Sequence, residues 1–198
     1  MTSFPKFPGE IDRKLVFDFF WKFSVFECAL KQGGFLKKAG REPSRDAGFG
    51  SGDRQCTAQP HQRKAIPAEA DWDTFGNAIK DDFSRVASPG FQEAVTKIIG
   101  LSPKKQVIDK DGKLDFQPVK QGVGESKAAY SLHLLRIARN NLFHGGKYPD
   151  GGPSSIAPRQ IVRDQEILRA ASIILDGCYE LHPAIKQSID EVAAGSCN

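Results

Sequence analysis

The chain has 198 residues, 39% of them apolar and 26% charged, and no apolar run approaches the roughly 18 residues a membrane span needs, so the composition is that of a globular protein. That length suits a single domain, 1–198, with a core of its own. A net charge of +4 is compatible with an anionic partner but is too modest to identify one.

Residues 10–32 read as a long first helix, because Val16, Phe20, Phe23, Glu27 and Leu30 recur at helical spacing on one face, with Phe19 and Phe26 widening it. Gly33-Gly34 is a natural stop. Residues about 35–66 lose any helical or strand period. Between Lys31 and Lys64 eight Lys/Arg stand against three Asp/Glu, which makes a long basic loop, read either as a solvated insertion or as an arm that contacts nucleic acid. The Gly48-Phe49-Gly50-Ser51-Gly52 run is no phosphate loop, since it lacks the Gly-Lys-Ser/Thr ending.

Asp71-Trp72-Asp73-Thr74-Phe75 opens a second helix running to about Val86, with acidic residues suiting its dipole. Ser88-Pro89 starts a short helix through Ile99 that Gly100 ends. Gln106 to Phe116 carries Asp111-Gly112 between short apolar runs, the signal of a β-hairpin. Helices follow over 125–144, 159–181 and about 184–194. Helices dominate, so the predicted fold is all-α, an antiparallel helical bundle of about five helices with a small β-hairpin insertion and the long basic loop.

The opening Met1-Thr2-Ser3-Phe4-Pro5-Lys6 lacks the basic-then-apolar build of a secretion signal. Four scattered cysteines, Cys28, Cys56, Cys178 and Cys197, form neither a CxxC pair nor a Cys/His metal spacing, as expected of reduced thiols in a cytoplasmic protein. No cofactor and no metal are expected.

The densest chemistry lies in Arg139-Asn140-Asn141-Leu142-Phe143-His144, followed by Gly145-Gly146-Lys147. A permanent cation and a group that titrates near neutrality can together stabilise and deprotonate a phosphate ester. At about 100° per residue, His133, Arg136, Asn140 and His144 share a polar stripe, while Arg139 sits beside Leu132, Leu135 and Phe143. Arg139 and His144 are then roughly 140° apart on an ideal helix and cannot share one phosphate. Either the helix unwinds at His144 ahead of Gly145-Gly146, or two chains pair so that both sets converge in one cleft. Taken singly, Arg139 reads as a surface cation and His144 as a favourable helix-end charge; together, with Asn140 between them, they make a candidate site. Arg136 and Lys147 are candidate phosphate contacts, or else solvated surface cations, and His133 reads equally as surface or site. His182, just before Pro183, reads as an ordinary helix-end residue, and His61 in the loop says little.

Glu27 is the second candidate. A carboxylate in an apolar seam must be paired, protonated or at a cleft edge. Arg139 is the first expected partner and Arg136 the second; the alternative is that Glu27 only borders the seam and reaches water.

On these residues the chain resembles the HEPN superfamily, whose signature is Arg, a polar residue, then several residues to His, here Arg139, Asn140 and His144. The aromatic-rich first helix ending Phe26-Glu27-Cys28-Ala29-Leu30, the Asp71-Trp72-Asp73-Thr74-Phe75 start and the long helix after the motif are also similar, so the resemblance covers most of the chain outside about 35–66. It implies an all-α bundle that pairs into a homodimer with a composite active site. It also implies metal-independent endoribonuclease activity, as in many members, with an antitoxin or defence-system protein as a further partner; some members are silent binding modules. The catalytic residues expected are Arg139, His144, Asn140 and Glu27, with Lys147 and Arg136 contacting RNA.

Overall fold

A computed structural model describes residues 12–37, 68–86, 88–143 and 158–194. Among them lie seven helices, α1 (Arg13–Gln32), α2 (Trp72–Ala78), α3 (Lys80–Arg85), α4 (Pro89–Leu101), α5 (Lys127–Phe143), α6 (Pro158–Tyr179) and α7 (Pro183–Ala193). One antiparallel hairpin, β1 (Lys105–Ile108) and β2 (Leu114–Gln117), sits between α4 and α5, with Lys105 opposite Gln117 and Ile108 opposite Leu114. The fold is all-α with a β-hairpin insertion, as the periodicities predict. The described helices number seven and not about five, partly because the expected 71–86 helix bends at the buried Ile79 and divides into α2 and α3.

Local chemistry explains most boundaries. Asp12 caps α1 by accepting from the Leu15 N–H at 3.1 Å, and Asp71 caps α2 by accepting from the Thr74 N–H at 3.0 Å and its hydroxyl at 2.7 Å. These bonds hold the Asp71 carboxyl below its ordinary pKa. Pro89 and Pro183 occupy first-turn positions, where a missing N–H costs nothing. In the hairpin turn, Asp109 Oδ1 accepts from the N–H groups of Asp111 and Lys113 at 2.9 and 2.8 Å, and Gly112 takes the positive φ of 77°.

The end of α4 departs from the sequence reading. Gly100 stays helical, and the helix ends at Leu101, capped by Ser102, which adopts φ 42°. Pro103 is the local reason, since the residue before a proline is barred from the helical region. Arg163 of α6 then donates through Nη2 to the carbonyls of Leu101 at 2.5 Å and Ser102 at 3.2 Å, so a guanidinium neutralises the helix C-terminus.

One cluster of buried side chains draws on all seven helices. α1 lies against α6 and α7, α4 against α6, and α2 against α5. The seam of α1 is rotated from the predicted one. Phe19, Phe23, Phe26, Ala29 and Leu30 are the residues at 0–3% exposure, while Phe20 and Glu27 flank them. Trp72 contributes to this choice of face, beside α6 and α7: it stacks on Phe23 and Phe26 with ring centroids 4.9 and 5.7 Å away, and Phe75 meets Phe26 edge-on at 5.5 Å.

The α2–α5 contact is close because Gly76 has no side chain. A Cβ there would lie 2.6 Å from Ala129 Cα. The margins of the predicted loop are also ordered. Leu36 bridges Ala70 in antiparallel fashion, Lys37 pairs with Glu69 at 2.9 Å, and the Phe35 ring meets Phe75 and His182 edge-on. So Phe35–Lys37 belongs to the scaffold and not to the loop, and His182, predicted to be an ordinary helix-end residue, is packed into it; the rest of the basic segment, His61 included, lies outside the described residues.

Candidate functional site

α5 changes character along its length. From Ala128 to Leu135 only His133 is not buried, since neighbouring helices surround this half. From Arg136 onward, polar side chains alternate with buried Ile137, Ala138 and Asn141. The buried first half fixes the axis from which the polar end projects.

Arg139 is half-buried on the α1 side, its guanidinium carbon 5.6 Å from the centroid of the Phe23 ring. That is within the ~6 Å over which a ring quadrupole attracts a cation. Its Nη1 donates to Asn140 Oδ1 at 3.2 Å. The ring and the amide together restrain a side chain that would otherwise sample many rotamers. Arg139 therefore borders the apolar seam, as its place on the wheel predicts.

The stripe of His133, Arg136 and Asn140 faces elsewhere. With Lys105 and Gln106 of β1, and with Ile137 and Asn141 behind, it lines a cleft of about 300 Å³. Arg136 Nη1 is 3.9 Å from Asp73 Oδ1, and His133 Nδ1 is 4.0 Å from Glu125 Oε1. Both contacts are at the far limit of an ion pair, and both side chains remain about a third exposed, so the carboxylates hold these groups only loosely. The hairpin is pinned in place by Asn141, whose Nδ2 donates to the Lys104 carbonyl at 2.9 Å. Farther along, the Tyr130 hydroxyl donates to the Val119 carbonyl at 2.9 Å and holds the return segment.

Glu27 does not join this group. Its carboxylate is 3.2 Å from Lys31, one turn on along α1, and its side chain is 29% exposed. The expected pairing with Arg139 or Arg136 is replaced by this local pair, because the α1 seam is centred on Phe19 and Phe26 and leaves Glu27 at its border. His144 and Lys147 lie outside the described residues, as does the side chain of Phe143.

The sequence reading missed Lys105, Gln106 and Asn141 as cleft residues. Lys105 and Gln106 lie about thirty positions before the motif, and no spacing rule links a hairpin strand to a helix stripe. The one usable signal was the hairpin itself, placed directly ahead of the motif helix. Among the described residues, no group of three or more His, Cys, Asp or Glu side chains could hold a metal ion, and no helix is long and apolar enough to cross a membrane. Comparison with family models, characterised proteins and solved structures produced no match for the chain.

Proposed function

We propose that the protein is a metal-independent endoribonuclease of the HEPN type, acting in toxin or phage-defence biology as a homodimer with a composite active site. The observation that carries this reading is the held, half-buried Arg139 near the C-terminal end of α5, hydrogen-bonded to Asn140 and five residues ahead of His144 in sequence.

RNA supplies its own nucleophile. Deprotonation of the 2′-hydroxyl lets that oxygen attack the adjacent phosphorus as the bond to the 5′-oxygen breaks. His144 takes the 2′ proton, or gives a proton to the leaving 5′-oxygen, a role worth about 10²–10⁴-fold. Arg139 holds two non-bridging oxygens through its planar fork as their charge rises. Asn140 accepts from Arg139 and so couples its orientation to the polar stripe. Two protomers supply two histidines, one base and one acid, and the products are a 2′,3′-cyclic phosphate and a 5′-hydroxyl. Arg136 and Lys147 contact flanking phosphates, and an antitoxin or defence-system protein would restrain the free enzyme.

Purified protein is expected to cut single-stranded RNA in EDTA, with 2′,3′-cyclic phosphate ends. Arg139→Ala and His144→Ala are each expected to lower the rate by about 10²-fold or more with the circular dichroism unchanged. Full-rate cleavage by both variants would overturn the assignment.

A second reading, a non-catalytic HEPN-like subunit that binds RNA or nucleotide, is favoured by one observation: the 300 Å³ cleft is lined with hydrogen-bonding groups and needs no reaction to be useful. Growth arrest on expressing the wild type, relieved by His144→Ala, supports the nuclease. Tight binding with neither arrest nor cutting supports the subunit.

A further inference from the structure

The α5–β1 cleft presents hydrogen-bonding capacity that its walls do not use. Gln106 Nε2 is buried without a protein hydrogen-bond partner, a donor whose lost hydration nothing in the protein replaces. Asn141 has committed its Nδ2 to the Lys104 carbonyl, so what it offers a ligand is its carbonyl oxygen. Asn140, with Oδ1 engaged by Arg139, offers N–H. Lys105 is exposed on β1, and Arg136 is held only loosely by Asp73 at 3.9 Å. No carboxylate is among the lining residues.

We infer that this cleft is the pocket for one unstacked nucleotide of a single-stranded RNA, its phosphate held by Lys105 and Arg136 and its base edge read by the amides of Gln106 and Asn141. Three features select this ligand. The two cations without a lining carboxylate suit an anion, and Arg136 carries the fork that matches a phosphate. The volume of about 300 Å³ is at the lower end for small-molecule sites and exceeds what a lone anion would fill. A donor from Gln106 and an acceptor from Asn141, both among the lining residues, are the pair a base edge requires, as single-strand readers use it. The His133 imidazole is the one ring that lines the cleft, a surface on which a base can stack, while discrimination between bases falls to the hydrogen bonds of the amides. The Asn140–Arg139 hydrogen bond joins the pocket to the proposed reaction centre, making the pocketed base a neighbour of the scissile phosphate.

This inference rests on the strand-binding part of the proposed function and not on cleavage. The test therefore uses short 2′-O-methyl homopolymers of each base, which lack the nucleophile, with the full chain at fixed salt and fluorescence anisotropy as the readout. The wild type is expected to prefer one base. Gln106→Ala should erase a preference of about tenfold. Lys105→Gln and Arg136→Gln should each weaken all sequences about equally, by about tenfold. Lys105 is exposed, so its variant keeps the fold even where another loses it. Unchanged binding and unchanged preference in Gln106→Ala and Lys105→Gln would overturn the pocket while leaving the nuclease reading intact. Variant-sensitive binding without cleavage of unmodified RNA would overturn the nuclease and leave the pocket. No binding of any oligomer by the wild type would overturn both.

Discussion

The two halves of α5 do different work. The first half, Ala128 to Leu135, is enclosed by its neighbours, and Gly76 lets α2 approach Ala129 so closely that no side chain fits between them. The second half leaves His133's stripe partners Arg136 and Asn140 accessible and sets Arg139 against the Phe23 ring. Packing density is the reason for the difference. A close-packed interior transmits position with little slack, so the enclosed half anchors the axis and the open half inherits its accuracy. Substitutions in the first half should therefore register as stability, and those in the second as binding or catalysis.

The largest effect is expected from Leu134→Ala, which empties a fully buried position of the enclosed half. A loss of about 2–5 kcal/mol in urea unfolding is expected. A loss below about 1 kcal/mol would mean that this half is not the anchor. Gly76→Ala comes next. A Cβ 2.6 Å from Ala129 Cα forces two backbones apart, and overpacking of this kind costs about 1–3 kcal/mol, more than the helix propensity that alanine adds. If the variant is as stable as the wild type, the α2–α5 contact is looser than described.

Asp71→Ala tests the same contact from the start of α2. Removing this cap should cost about 1 kcal/mol at neutral pH. The folded Asp71 carboxyl titrates below its ordinary value, so its contribution is complete above the unfolded pKa and is lost as pH falls through the lower folded one. The gap between wild type and variant should thus be constant near neutrality and close below about pH 4. A gap that instead widened in acid would show that the cap is not the source. The smallest effect belongs to Glu27→Gln, which removes a partly exposed pair with Lys31 and should change stability by less than about 0.5 kcal/mol. A larger loss would mean that the carboxylate serves something other than Lys31, and would restore it as a candidate beside Arg139.

What could be read without the structure depended on the range of the interaction. Helix starts at Asp71, Pro89 and Pro183 and the Asp-Gly hairpin follow from contacts within a few residues, and all are present in the fold. The phase of α1 was not legible, because Phe17, Phe19, Phe20, Trp21, Phe23 and Phe26 make the helix apolar almost all round. The packing of α6 and α7 on α1, with Trp72 stacked on Phe23 and Phe26, selects the buried face and leaves Glu27 at its border. The stop of α4 has a local signal in Pro103, which bars Ser102 from the helix; only the Arg163 guanidinium that satisfies its last carbonyls, about sixty residues away, has none.

By itself, then, the sequence determined the helical class, the hairpin and the polar stripe of α5, all consequences of short-range periodicity and capping. Tertiary structure alone decided that Arg139 rests on Phe23, that Glu27 pairs with Lys31, and that Lys105 and Gln106 close a cleft over Arg136 and Asn140. These depend on which faces meet, and that choice is made by the summed burial and hydrogen bonding of the whole core, which no local spacing encodes.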